Sequence, residues 1–176
     1  MMNKNGFTLI ELIIVLVIIM ILLAIAGISG KTWLDKYRVE SQTKELAVDL
    51  MNAQVSAMQR NRVYFVVFNP TPTATQYTIY EDRGAGQQEG NGTFETTDRQ
   101  VLQKNLNSNY ALTIPGVAVN SVNFDPKGLA SMSPGAMGTA QTIRVAATFG
   151  AAYDCIVIAA TKIRMGAWNG TSCVVQ

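Results

Sequence analysis

The sequence predicts an α+β protein in which one long N-terminal helix, with a membrane half and an amphipathic half, carries a small antiparallel β-sheet or a two-sheet β-sandwich head. Three observations carry this expectation. From Phe7 to Ile28 the only formal charge is Glu11, and about 22 helical residues rise roughly 33 Å, enough for a bilayer core of roughly 30 Å. From Lys31 to about Arg60 the apolar residues recur at helical spacing with no proline between them. After Asn61 the pattern changes to short β-branched and aromatic runs divided by Gly, Pro and Asn.

In chain order, Met1 to Gly6 is a short polar segment whose Lys4 places it on the cytoplasmic side by the positive-inside rule. A secretory signal peptide has a shorter apolar core followed by a small-residue cleavage site, which this stretch does not match. An ordinary signal-anchor helix fits the length but leaves Glu11 unexplained. A lone carboxylate at the bilayer centre costs about 2.5–3.5 kcal/mol, so Glu11 asks for a partner. Gly27 and Gly30 each weaken helix propensity by about 1 kcal/mol relative to Ala, which permits an intact, bent or melted helix there. Beyond them, Val39, Leu46, Leu50, Ala53 and Ala57 form one stripe suited to docking on a sheet, and Asp35, Lys36, Glu40, Lys44, Glu45 and Asp49 supply a wet side. The simplest reading is one helix from about Thr8 to Arg60, roughly 80 Å long. Trp33 and Tyr37, one turn apart, suit either a membrane interface or packing against a neighbour or the head.

Val63 to Phe68 reads as a strand stopped by Asn69-Pro70, and Gln76 to Glu81 as its hairpin partner across Pro70 to Thr73. Arg83 to Thr97, with four glycines and Phe94 as its one sizeable apolar side chain, reads as an exposed loop able to contact a partner. Further strands are expected at Tyr110 to Ile114, Val119 to Phe124, Thr142 to Thr148 and Tyr153 to Ala159, with a short last strand at Ile163 to Met165. Asp125-Pro126-Lys127-Gly128 has the Pro and Gly placement of a type I turn. Ser131 to Thr139 reads as loop.

The 176 residues suffice for one head domain, and a net charge of +2 does not by itself call for a nucleic acid or an acidic surface. Histidine is absent, which removes the commonest general base and metal ligand, and two cysteines alone cannot complete a four-ligand zinc site. No acidic pair or nucleophile constellation stands out. A catalytic role, a metal and a cofactor are therefore not expected. Asn91-Gly92-Thr93 and Asn169-Gly170-Thr171 match a glycosylation sequon that is common by chance, and no role is assigned to them.

Lys4-Asn5-Gly6-Phe7-Thr8-Leu9-Ile10-Glu11, followed directly by the apolar helix, resembles the class III signal of type IV pilins and type II secretion pseudopilins. The resemblance implies that a prepilin peptidase cuts after Gly6, that Phe7 becomes the N-methylated first residue, and that Glu11 pairs with the N-terminal amine of a neighbouring subunit. It divides the chain into a cleaved leader 1–6, a transmembrane or filament-core helix 7–30, an amphipathic helix 31–62 packed on the head, and a β-rich head 63–176. The head then lies outside the cytoplasm, where Cys155 and Cys173 are expected as a disulfide. Closing that loop contributes about 3 kcal/mol in the chain-entropy model. Two free buried thiols are the alternative.

A second resemblance lies in Asn61-Arg62, Phe124 to Gly128, Ile143 to Val145, Cys155 to Ile158 and the basic Lys162-Ile163-Arg164, which are similar to H-type minor pseudopilins and FimT-type minor pilins. Some FimT-type proteins carry a basic motif at this last position for DNA uptake, usually with glycine where Thr161 stands here. In an extended segment Lys162 and Arg164 project from one face and can bracket a phosphate backbone while Ile163 packs inward. Arg60, Arg62 and Arg144 are candidates to enlarge that patch; a solvated strand face is the alternative. The expected function is thus a minor pilin or pseudopilin subunit of the bacterial inner membrane, with the head in the periplasm or on a filament. Its implied partners are other pilin or pseudopilin subunits, prepilin peptidase and the membrane. A DNA-binding minor pilin of the uptake machinery, a major pilin and, last, a membrane-tethered enzyme are the alternatives.

Overall fold

The structure, a computed structural model, describes residues 7–69, 73–83, 90–114, 121–133, 136–137, 140–146 and 150–176, with side chains left aside at 25–30, 132–133 and 136–137. One helix, α1 (Leu9–Arg60), runs for 52 residues. In the single subunit its backbone is helical through Gly27 and Gly30. At its end Asn61 takes the left-handed conformation (φ 51°, ψ 45°), and its backbone N–H bonds the Ala57 carbonyl. Asn tolerates that region better than most side chains, so the helix stops cleanly there.

The two halves of α1 differ in burial. Phe7 and the apolar residues from Leu9 to Leu23 are exposed, whereas Val39, Thr43, Leu46, Ala47, Leu50, Ala53 and Ala57 are buried. All five residues of the expected stripe are among these. Asp49, assigned above to the wet side, is instead 9% exposed, because Tyr77 Oη donates to its Oδ2 at 2.6 Å and Lys104 Nζ lies 2.7 Å from the same oxygen. Burial is tolerable for a carboxylate so satisfied. Among the described residues no helix is long and apolar enough to cross a membrane; the expected span 7–28 runs on into residues 25–30, whose side chains are not described.

The head contains β1 (Tyr64–Asn69), β2 (Thr73–Ala74), β3 (Gln76–Glu81), β4 (Arg99–Asn105), β5 (Leu112–Thr113), β6 (Ser121–Phe124), β7 (Ala130–Ser133), β8 (Ala136–Met137), β9 (Gln141–Val145), β10 (Cys155–Ile158), β11 (Ile163–Trp168) and β12 (Cys173–Val175). They form two antiparallel six-stranded sheets, ordered β4-β3-β1-β6-β7-β8 and β12-β11-β10-β9-β5-β2. Both sheets pack on α1, the first through β1 and β6 and the second through β10 and β11. Tyr64, Val66 and Phe68 of β1, Phe124 of β6, Ile143 and Val145 of β9, and Ile156 and Ile158 of β10 join the helix stripe in one core.

Several expected boundaries change. Tyr110 to Ile114 is a 3-10 turn (Ser108–Tyr110) followed by the two-residue β5. The stretch read as loop after Ser131 contains β7 and β8, whose sequence lacks the branched and aromatic residues that mark strands. β4 and β12 lie at sheet edges and were not anticipated. β11 extends to Trp168 and is not the last strand. Residues 70–72 of the β1–β2 connection, Val119, Asn120 and residues 147–148 of two expected strands lie outside the described residues.

Candidate functional site

The N-terminal end of α1 is built by a cap. Thr8 is extended (φ −79°, ψ 151°), and its Oγ1 accepts the backbone N–H of Glu11 at 3.3 Å. Thr-x-x-Glu is the spacing of a capping box, and a negative charge in the first turn is favoured by the helix dipole. The observed bond uses the Glu11 backbone, and its carboxylate adds the favourable first-turn charge, which is compatible with a second role between subunits. Gly6 lies outside the described residues, and Phe7 is 82% exposed.

Around this end the apolar side chains point in every direction, with exposures from 45% at Ile19 to 82% at Phe7. The apolar surface continues along the head half as a second stripe, on the side of α1 away from the core. Leu34, Tyr37, Val48, Met51, Val55 and Met58 are all exposed, and their positions follow an alternating three-four spacing in which Ser41 and Lys44 fill the two intervening places. The Trp33 and Tyr37 rings stack at 6.1 Å between centroids.

On the second sheet, Lys162 sits in the turn that joins β10 to β11, where Ala159 and Lys162 exchange backbone hydrogen bonds. Both Lys162 and Arg164 are exposed, while Ile163 between them packs on the core. Strand register places Arg144 opposite Cys155 and Cys155 opposite Gly166, so Arg144 shares the outer face with Arg164, and its guanidinium lies 4.8 Å from the centre of the Trp168 ring. On the same face Cys155 and Cys173 form a disulfide with Cα atoms 6.0 Å apart. That bond joins β10 to β12 across β11, and the strand between them carries Gly166 at the crossing. A Cβ there would overlap the Val174 carbonyl and press on the Cys173 sulfur.

Arg60 and Arg62 do not join Arg164. They turn instead toward Glu81 at the end of β3, which is 1% exposed, and Arg99 at the start of β4 completes the group. Burial raises the pKa of the neighbouring Tyr64 phenol, with the Glu81 charge adding to the effect. The described residues of the loop after β3 are held by two buried carboxylates. Asp82 Oδ2 accepts the Gly92 N–H at 2.7 Å, and Asp98 accepts the N–H groups of Arg83 and Glu95 at 3.2 and 2.9 Å. Burial pushes the Asp82 carboxyl above the usual carboxylate range. Phe94 then lies over the outer face of the first sheet, with ring centres 5.8 Å from Phe65 and 5.0 Å from Tyr80. Among the described residues no metal-holding group of acidic or cysteine side chains is found.

Residues 1–27 match the family model described as the prokaryotic N-terminal methylation motif. The fold is similar to that of the type IV minor pilin FimU of Pseudomonas aeruginosa, with a TM-score of 0.55, 14% identity, and 80% of this chain and 98% of that chain covered. The chain thus carries this methylation motif at its N-terminus and has the fold of the minor pilin FimU. A second crystal form of FimU gives a TM-score of 0.53, 15% identity and coverage of 77% and 99%. The minor pseudopilin EpsH of the Vibrio cholerae type 2 secretion system aligns at a TM-score of 0.48 and 11% identity over 74% of this chain and 97% of that one, too distant to carry an argument. No curated protein sequence matches significantly.

This pilin-type architecture brings Lys162, Arg164 and Arg144 to one face and closes Cys155 on Cys173. It separates Arg60 and Arg62 from them and pairs those two with Glu81. The outer helix stripe and the Glu81 cluster are the two features that sequence reasoning missed. The first was legible as an alternating three-four spacing on the far side of the core stripe. The second had no sequence signal, since its members come from three separate elements.

Proposed function

We propose that the protein is a minor pilin or pseudopilin subunit that is made as an inner-membrane precursor, cut after Gly6 by prepilin peptidase, methylated at Phe7, and assembled through α1 into a type IV pilus or a type II secretion pseudopilus. The observation that carries this reading is the all-round exposure of apolar side chains from Phe7 to Leu23. Burying one Leu, Ile or Val stabilises by about 1.5–3 kcal/mol, so fifteen such side chains, counted with Phe7 and Met20, cannot stay in water. A helix apolar on every side belongs in lipid or among other helices, and a pilin-type subunit uses both in turn. The membrane holds residues 7–30 before assembly, and neighbouring helices enclose them afterwards.

In this scheme the residues act by assembly, with no catalytic step. Once Gly6 is removed, the amine of Phe7 is a charge that needs a counter-charge in an apolar core, and Glu11 of a neighbouring subunit supplies one. Pairing fixes the axial register of two helices, because a slip leaves both charges unpaired in a poor solvent. The outer stripe from Leu34 to Met58 offers further apolar contact to an adjacent subunit. The head, residues 63–176, is carried on 31–62 in the periplasm or on the filament surface. Mass spectrometry of the protein made in a host with prepilin peptidase tests the processing: the expected N-terminus is N-methyl-Phe7, and an intact or differently cut N-terminus contradicts it. Its amount in sheared filaments separates a minor from a major subunit.

A second reading, DNA binding during uptake, is favoured by one observation. Lys162 and Arg164 are exposed on one face beside the Arg144–Trp168 pair, and among the described residues neither is in an ion pair. Full-length protein in a non-ionic detergent would then bind duplex DNA with an affinity that falls with salt, and Lys162→Gln/Arg164→Gln would flatten the slope. Absence of binding at low salt removes this reading and leaves assembly intact.

A further inference from the structure

The distal end of the head holds three guanidinium groups over one carboxylate. α1 delivers Arg60, the left-handed Asn61 turns the chain so that Arg62 comes back toward β3, and strand register sets Arg99 of β4 opposite Glu81. Nη1 of Arg60 and Nη1 of Arg99 donate to Glu81 Oε2 at 3.3 and 3.1 Å. Arg62 Nε lies 3.9 Å from Oε1, and its Nη1 donates to the Asp82 carbonyl at 3.2 Å. The burial is one-sided: the Glu81 side chain is 2% exposed, those of Arg60 and Arg99 54% and 52%. The acid lies beneath and the bases lie on top.

Beside them opens a cleft of about 570 Å³, walled by Arg60, Arg62, Asp82, Gly92 and Pro126 among others. Among the described residues its one lining carboxylate, Asp82, is 3% exposed and already accepts the Gly92 N–H. Among the described residues Arg60, Arg62 and Arg99 therefore outnumber the carboxylates Glu81 and Asp82, and the carboxylates are the buried members. Neutralising one buried glutamate takes one guanidinium; a second and a third repel the first unless another anion joins them. Each guanidinium carries five donors in a rigid fork that matches oxyanion oxygens, and Arg60 and Arg99 each commit one Nη to Glu81.

We propose that this cleft is an oxyanion site that takes a phosphoryl group. Arg60 from α1 and Arg62 from the connection after it line the cleft, and Arg99 of β4 stands beside them at Glu81; three such forks suit a group with several terminal oxygens better than a carboxylate with two. The volume falls in the range of small-ligand sites, about 300–1,000 Å³, so the phosphoryl group has room for what it is attached to. The site is independent of the DNA reading above, which uses Lys162 and Arg164. The same chemistry has two sources, a small phosphate ester or the backbone of a phosphodiester polymer.

The test uses the full-length protein in a non-ionic detergent at constant ionic strength, with inorganic phosphate, acetate and oligothymidylate as probes. Two readouts are the melting temperature and the protection of arginines from phenylglyoxal, mapped by mass spectrometry. Phosphate is expected to raise the melting temperature and to protect Arg60 and Arg99, and acetate to do neither. Arg60→Gln/Arg99→Gln is expected to weaken phosphate binding by at least about tenfold, while Lys162→Gln/Arg164→Gln leaves it unchanged. Protection by oligothymidylate well below the effective phosphate concentration assigns the polymer as source; protection by phosphate alone assigns a small ligand. Absence of protection at millimolar phosphate in the wild type, equal protection by acetate, or equal affinity in the Arg60/Arg99 variant overturns the proposal. The wild-type footprint decides the matter if that variant does not fold.

Discussion

The two halves of α1 differ in composition and meet opposite fates. Between Val39 and Ala57 the helix lays one stripe into a core shared with both sheets, whereas from Leu9 to Leu23 the apolar side chains stay exposed. The difference lies in both content and distribution, with Glu11 the one charge among residues 7–28 against nine between Lys31 and Arg60. The head half keeps charges on its flanks, so a single docking face satisfies it, while the N-terminal half is apolar all round and no single face can. Under the proposed assembly, burial inside one subunit and burial between subunits fall to adjacent segments of one helix.

The largest expected effect sharpens that contrast. Leu50→Ala empties a position that is 0% exposed and should destabilise the head by about 2–5 kcal/mol. Leu16→Ala, at 47% exposure, should leave the melting of the head unchanged in the same thermal scan. Next comes Gly166→Ala, which forces a Cβ against the Val174 carbonyl beneath the disulfide. Overpacking of this kind costs about 1–3 kcal/mol, measurable as a lower denaturation midpoint and easier reduction of the Cys155–Cys173 bond.

A smaller effect concerns the polar contact inside the docked half. Burial, followed by its hydrogen bond to Asp49, raises the Tyr77 phenol far above 10. The unfolded chain therefore releases this proton first as pH rises. The corresponding stability is fully present below pH 10 and is lost as pH climbs beyond it. Tyr77→Phe should cost about 1 kcal/mol at neutral pH and reduce the alkaline slope; Tyr64, raised in the same direction by burial and Glu81, keeps part of it. An unchanged slope contradicts the assignment.

The helix, its inner stripe and the β1–β3 hairpin were legible because each rests on local periodicity: Val39 to Ala57 repeat at helical spacing, and Tyr64 to Phe68 are branched or aromatic. β4 was not, because Arg99, Gln100, Gln103 and Lys104 suit an edge strand whose exposed backbone is guarded by polar side chains, and such residues read as loop. β7 and β12 are too short to show a period. Asp49 was misplaced for a related reason: its charge argues for water until Tyr77 and Lys104 arrive from strands 28 and 55 positions later. The meeting of Arg60, Arg62 and Arg99 at Glu81 is likewise a product of topology.

The most direct test of the account is incorporation of Glu11→Ala into sheared filaments, measured beside the thermal stability of the head in the same protein. Glu11 is exposed at the start of α1, far in sequence from every core residue, so the account predicts an unchanged melting temperature and a marked loss from filaments. Normal incorporation of Glu11→Ala would contradict the claim that this carboxylate sets the register between subunits.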